Sequence, residues 1–319
     1  MKTLYRVAGF ILLFAGGLAM TAAHAHCAEM VLSEVQSDLV HGPVEYAVLL
    51  PDGYNNGQNE FPLMFFLHGG GGDRGFLVRL KPVFEEAWQR GLLPPVVVVT
   101  PSVGKRCFYM DFKDGSQKWE TFIKTDLLAH IRANYKVYDI REKTFLSGIS
   151  MGGMGSLRLL FKNPEIFSTA AALEPGIEPA LQWQDVKMRN RWFRDDKLLY
   201  AAYGQPIDTE YWEANNPASI AQNKAEALRN SNIHIYIECG DRDVFYLHEG
   251  SEFLHRVLFD NKILHEYRLV RGADHLGKTL RNRILDAFAF IDRVVNPAVP
   301  ETGARLKKIY EWRKMVLGE

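Results

Sequence analysis

Three separated stretches of this chain carry the residue types needed for nucleophilic chemistry at a carbonyl: a hydroxyl, an imidazole and a carboxylate. Ser150 lies in Gly148-Ile149-Ser150-Met151-Gly152-Gly153, after the apolar run Thr144 to Leu146 and before a segment with Leu157, Leu159 and Leu160. A serine between a strand and a helix, with small residues on both sides, sits on a sharp turn that projects its hydroxyl. The helix that follows brings free N–H groups and a positive dipole end to a developing oxyanion. The competing interpretation, a serine that only caps a helix, leaves the other two stretches unexplained.

Upstream, the apolar run Leu63 to Leu67 ends in His68-Gly69-Gly70-Gly71-Gly72-Asp73. Without side chains, backbone N–H groups there can point at a substrate oxygen, so the oxyanion donors are expected to be the N–H of Met151 and the N–H of Gly70, with Gly69 as the alternate second donor. No Lys-Ser/Thr follows the glycines, which argues against a phosphate-cradling loop. His68 is read as a residue that orients the loop. The carboxylate follows the run Ile233 to Ile237, where Glu238-Cys239-Gly240-Asp241-Arg242-Asp243 offers two aspartates. Asp243 is preferred, because a loop of that length turns back toward a histidine; Asp241 is the alternative. His275, in Gly272-Ala273-Asp274-His275-Leu276-Gly277, follows the run Tyr267 to Val270. Of the ten histidines it alone has both the position and the order in the chain.

These residues must be positioned by elements that repeat along the chain. Short β-branched runs, including also Tyr46 to Leu50, Val96 to Thr100 and Thr169 to Leu173, alternate with amphipathic stretches at Trp119 to Asn134, Gly152 to Lys162, Glu249 to Phe259 and Thr279 to Val295. That rhythm predicts an α/β fold, a doubly wound, mostly parallel sheet whose strands are largely buried. The order nucleophile, acid, base is that of the α/β-hydrolase fold. Residues 176–223 break the rhythm with Trp183, Trp192, Phe193, Tyr200, Tyr203, Tyr211 and Trp212. They are expected as a small insertion over the carboxyl edge, either a packed excursion or a partial lid. Residues 301–319 read as a surface helix.

Composition bounds the function. The 319 residues are 47% hydrophobic and carry 38 basic against 38 acidic side chains, which suits one large domain and excludes a bulk electrostatic pull toward nucleic acid or anionic membrane. Lys2 and Arg6, an apolar stretch from Val7 to Met20 and Ala23-His24-Ala25 read as a cleavable signal peptide over residues 1–25, leaving 26–319 as a single catalytic domain that is secreted or periplasmic and not membrane-bound. His26 before Cys27 argues against lipidation. In an oxidising compartment a Cys27–Cys107 bridge is the expected pairing, with Cys239 buried. No Cys/His cluster has zinc spacing, so neither metal nor organic cofactor is expected.

The chain resembles the esterase D branch of the α/β-hydrolases, which includes S-formylglutathione hydrolases, feruloyl and acetylxylan esterases and, more distantly, mycolyltransferases. The likeness rests on the serine turn, the His68-Gly69-Gly70 loop, Cys107-Phe108-Tyr109-Met110-Asp111, Trp119-Glu120-Thr121-Phe122, Tyr211-Trp212-Glu213-Ala214-Asn215-Asn216-Pro217 and the Cys239-Gly240 turn. It implies a serine esterase with its acid four residues after Cys239, at Asp243, acting on a small-molecule or carbohydrate ester. Acetyl and feruloyl esters of carbohydrate are the expected substrates, with Phe108, Tyr109, Trp183 and Trp192 as stacking surfaces. Cytosolic S-formylglutathione hydrolases carry a Thr-Cys oxyanion loop and no export signal, which disfavours that substrate. Gly277 departs from the aromatic residue that the branch commonly places two positions after its histidine. An acyltransferase with the same triad, or a binding protein on the same fold, are the alternatives.

Overall fold

The computed structural model describes residues 28–104, 106–298 and 303–318; residues 1–25, read as the signal peptide, and Cys27 lie outside them. The strands are β1 (Glu29–Val35), β2 (Val44–Leu50), β3 (Leu63–Leu67), β4 (Val97–Pro101), β5 (Thr144–Ile149), β6 (Thr169–Leu173), β7 (His234–Gly240) and β8 (Glu266–Val270). They form one eight-stranded sheet in the order β1-β2-β4-β3-β5-β6-β7-β8. β2 runs antiparallel to both β1 and β4, and every other neighbouring pair is parallel. The expected doubly wound, mostly parallel sheet is therefore present.

Alternation along the central strands divides two cores. Phe65 and Leu67 face one side with Leu146, Ala170 and Ile235, while Met64 and Phe66 face the other with Val98, Phe145 and Ala171. The longer helices are α1 (Gly75–Gln89), α2 (residues 119–134, with a π-helical turn at Ile123–Leu127), α3 (Met151–Lys162), α4 (Leu247–Asp260), α5 (Leu280–Val295) and α6 (Ala304–Leu317). Helices α1 and α5 cover the second face through Leu77, Phe84, Ile284 and Phe288, whereas α2, α3 and α4 cover the first through Phe122, Leu157 and Leu254. Both faces are thus dry, as parallel sheets require.

Two edges depart from the sequence reading. β1 was not expected: most of its side chains are exposed or half-buried, so it lacks the continuous apolar run that marks a buried strand. β8, read from Tyr267 to Val270 in a sheet whose strands were expected to be largely buried, is the opposite edge, and three of its five residues are exposed. Residues 306–318 in and just beyond α6 are exposed, as a surface helix should be. The expected Cys27–Cys107 bridge involves Cys27, which lies outside the described residues; among those described, Cys107 and Cys239 are free buried thiols, and the Cys107 sulfur accepts the Tyr109 N–H at 3.3 Å.

The turn from β5 into α3 is the tightest point of the fold. Ser150 adopts φ 58° and ψ −115°, a conformation that costs a non-glycine residue about 1–3 kcal/mol. Helix α3 presses so closely on β3 that a Cβ at residue 152 would lie 2.0 Å from the Leu67 carbonyl oxygen. Gly152→Ala should accordingly lower stability by about 2–4 kcal/mol in urea denaturation, and an unchanged midpoint would show that β3 and α3 can separate freely.

Candidate active site

Ser150 follows β5, Asp243 follows β7 and His275 follows β8. In a parallel sheet these three ends lie at the same carboxyl edge. A cavity of about 730 Å³ opens there, and both Ser150 and His275 line it. Asp243 is 3% exposed, and its Oδ2 lies 2.6 Å from His275 Nδ1. Its other oxygen accepts the N–H groups of Phe245 at 2.7 Å and Leu247 at 3.3 Å. The Phe245 ring stands nearly perpendicular to the imidazole with centroids 4.9 Å apart, so the imidazole is held both at Nδ1 and by a ring contact. Asp241 instead accepts the Gly272 N–H at 2.6 Å and ties together the loops after β7 and β8. Among the described residues the Ser150 hydroxyl makes no hydrogen bond, and such bonds commonly tighten only when substrate enters.

The glycine loop is held from beneath. Burial pulls the His68 imidazole below its ordinary value, toward the neutral form, and Nδ1 donates to the Gly69 carbonyl at 2.8 Å. The Tyr109 hydroxyl donates to the His68 carbonyl at 2.9 Å. Gly69 lies beside Ser150, an added Cβ standing at an ordinary contact distance of 3.5 Å from the serine Cβ. Gly69, Gly70 and Met151 all line the cavity, and among the described residues their N–H groups donate to no protein carbonyl. Three N–H groups beside the cavity are thus left without a protein acceptor among the described residues.

The four expected stacking residues separate into two pairs. Phe108 and Trp192 line the cavity. Tyr109 does not, being fully buried and engaged beneath the His68 carbonyl. Trp183 also stands apart: its indole packs edge-on against Trp212 at 5.8 Å and lines a different depression. Phe108 and Tyr109 both have φ of 52°, and that double left-handed kink sends two adjacent rings in different directions. The buried Arg158 fixes it by donating to the carbonyls of Phe108 and Asn215. Trp192, Phe193, Arg194 and Leu198 of the insertion contribute to the cavity wall, whereas Leu199, Ala202, Tyr203 and Trp212 are buried in the first core. The segment thus contributes both to the cavity wall and to the first core.

Sequence reasoning missed a charged cluster behind the histidine. Arg283 of α5 is 2% exposed and donates through Nη2 to the carbonyls of Asp274 at 2.9 Å and His275 at 3.3 Å. Its Nη1 pairs with Glu174, at the end of β6, and with Glu238 of β7 at 3.0 Å. One guanidinium thus faces two buried carboxyls, with Glu174 the closer partner. Burial raises the surplus acid, Glu238, to about 8. Glu174, Cys239 and Asp243 bring ligand atoms within 4.8 Å of one another, but the donors are already engaged: the Cys239 thiol donates to Glu174 at 2.8 Å, Glu174 holds Arg283, and Asp243 holds His275. A Glu on a strand end and an Arg on a helix carry no local pattern that announces such a cluster.

The model of a family described as putative esterase matches residues 37–278. An esterase of Mycobacterium tuberculosis is 28% identical over 199 residues, covering 59% of this chain and 41% of the relative, so the chain spans less than half of that protein's length. A diacylglycerol acyltransferase/mycolyltransferase of Mycobacterium leprae is 29% identical over 205 residues, 59% of this chain and 58% of the relative. Among solved structures, a ferulic acid esterase superposes with a TM-score of 0.69 at 20% identity over 84% of this chain and 99% of the other. That likeness establishes the α/β-hydrolase fold.

The charged cluster generates two expectations. Arg283→Met leaves Glu174 buried and unpaired and should cost about 3–5 kcal/mol in urea denaturation; a loss below about 1 kcal/mol would show that the pair carries little. Glu238 titrates near 8 when folded and near its ordinary 4.5 when unfolded, so between those values the folded state holds a proton the unfolded state has released. Wild-type stability should therefore fall as pH rises through that window. Glu238→Gln removes this term, and its stability relative to wild type should increase from about pH 5 to about pH 8; a pH-independent difference would contradict the assignment.

Proposed function

This chain belongs to the putative esterase family, and from that premise we propose that it is a carboxylic ester hydrolase working through Ser150, His275 and Asp243. The observation that carries the reading is the 2.6 Å contact between His275 Nδ1 and the buried Asp243 carboxylate, beside a cavity that also holds Ser150 and three N–H groups without a protein acceptor among the described residues. The carboxylate fixes the tautomer, with the proton on Nδ1 and a basic Nε2 free to receive the serine proton. As Ser150 attacks the ester carbonyl, the Met151 N–H together with that of Gly70 or Gly69 stabilises the oxyanion, and His275 then protonates the departing alcohol. Water, deprotonated by the same imidazole, releases the acid and regenerates the hydroxyl.

Acetyl or feruloyl esters of carbohydrate are the proposed substrates, with Phe108 and Trp192 as the stacking surfaces. The likeness to an acyltransferase favours one second reading, in which an alcohol replaces water as acceptor; added glycerol or sugar would then yield a new ester. Export through the leader belongs to the same proposal, and the mature chain should begin at His26 in N-terminal sequencing.

Ser150→Ala should abolish turnover of 4-nitrophenyl acetate and labelling by a fluorophosphonate while leaving the melting temperature near that of wild type. Asp243→Asn, which permits the wrong tautomer, should lower kcat by about 10⁴. Turnover retained by Ser150→Ala would remove the serine from the reaction.

A further inference from the structure

We propose that the cavity is built for esters carrying a second, anionic group, a carboxylate or a phosphate, held by Arg79 and Arg106. The inference rests on the esterase reading above and names the substrate class of that same site. Three arginines line the cavity, Arg79, Arg106 and Arg194, and no aspartate or glutamate does. Arg194 is already matched: its Nε lies 2.6 Å from Glu178 Oε1, with both side chains 6% exposed, and its Nη2 donates to the Gly176 carbonyl at 2.6 Å. His275 faces Asp243.

Arg79 and Arg106 are exposed, and among the described residues neither forms an ion pair with a carboxylate. The Arg79 guanidinium lies 5.8 Å from the centre of the Phe76 ring, a contact that leaves its N–H donors open. The N-terminus of α3 adds its positive end at Ser150.

Two unmatched guanidinium groups at a concave site with apolar walls focus a positive potential into it. The chain as a whole has 38 basic and 38 acidic side chains, so the potential is local to this cavity. A planar guanidinium presents paired N–H donors that fit a carboxylate or phosphate, and such charge-assisted bonds are stronger than neutral ones. Phe76, Phe108, Met154, Trp192, Phe193 and Phe245 supply the apolar wall. The preferred ester therefore combines an apolar or stacking body with a negative group. An ester borne on an acidic sugar meets this description, as does one whose acyl chain ends in a carboxylate.

Matched ester pairs test the inference on the full chain. On the acyl side, mono-4-nitrophenyl glutarate is compared with 4-nitrophenyl valerate; on the alcohol side, 1-butyryl-glycerol 3-phosphate is compared with monobutyrin. The readout is the ratio of kcat/KM for the anionic ester to that for its neutral partner, after subtraction of the uncatalysed rate. In at least one pair the Arg79→Gln/Arg106→Gln double variant should lower that ratio by about tenfold, and about 0.5 M salt should lower it in wild type. The pair that responds identifies the side of the ester bearing the charge. Should the double variant fail to fold, the single variants serve, each lowering the ratio by about threefold. Ratios that stay the same in both pairs, with neutral esters still hydrolysed in a Ser150-dependent way, overturn this inference and leave the esterase reading standing. Absence of Ser150-dependent hydrolysis of every ester overturns both.

Discussion

A single buried guanidinium joins the parts of this protein that must converge. Arg283 reaches from α5 to the end of β6 through Glu174, to β7 through Glu238, and to the His275 loop through two backbone carbonyls. Strand ends in a parallel sheet are brought near one another by the ladder, but the loops beyond them need contacts of their own. The ladder stops at Gly240 and Val270, and beyond it the Asp241 N–H to the Val270 carbonyl, the Arg242 N–H to the Ala273 carbonyl, the Asp241 contact to Gly272 and Arg283 hold the loops that carry acid and base. Charge placed where water cannot screen it is costly to separate, so the arrangement tolerates little drift.

The opposite side of the site is organised by close approach instead of charge. Gly148 and Gly152 let β3, β5 and α3 meet at distances that no side chain allows, and the glycine loop is then supported by His68 and Tyr109. Phe108 and Tyr109 illustrate the economy of the scheme: one ring forms the cavity wall, and its neighbour supports the loop that carries the candidate oxyanion donors. Reading both as stacking surfaces from sequence failed for Tyr109 because composition marks an aromatic residue without showing where its ring points.

The central sheet was legible because its strands are buried on both faces and so appear as unbroken apolar runs. Leu63 to Leu67 and Thr169 to Leu173 coincide with β3 and β6. The edge strands obey a different rule. Glu29–Val35 mixes polar with apolar residues and was missed, while Glu266–Val270 was found by its apolar run although it is an exposed edge. At the site, Ser150, Asp243 and His275 were placed by motif and order, which are local properties of the chain. Arg79, Arg106, Phe245 and Arg283 become visible only once distant segments meet, since nothing beside them in sequence distinguishes them from surface charge or ordinary core. Trp183 fails in the opposite direction: an aromatic-rich insertion suggested a cleft, but its indole is satisfied by Trp212.

The two thiols inside the described fold have a practical meaning. Cys107 is 1% exposed and Cys239 is 0% exposed, and burial raises both, Cys107 to about 12 and Cys239 further still. Neither offers a thiolate to an oxidant or alkylating reagent at neutral pH. Among the described residues the packed body holds no disulfide, so a reductant finds no bond to break there.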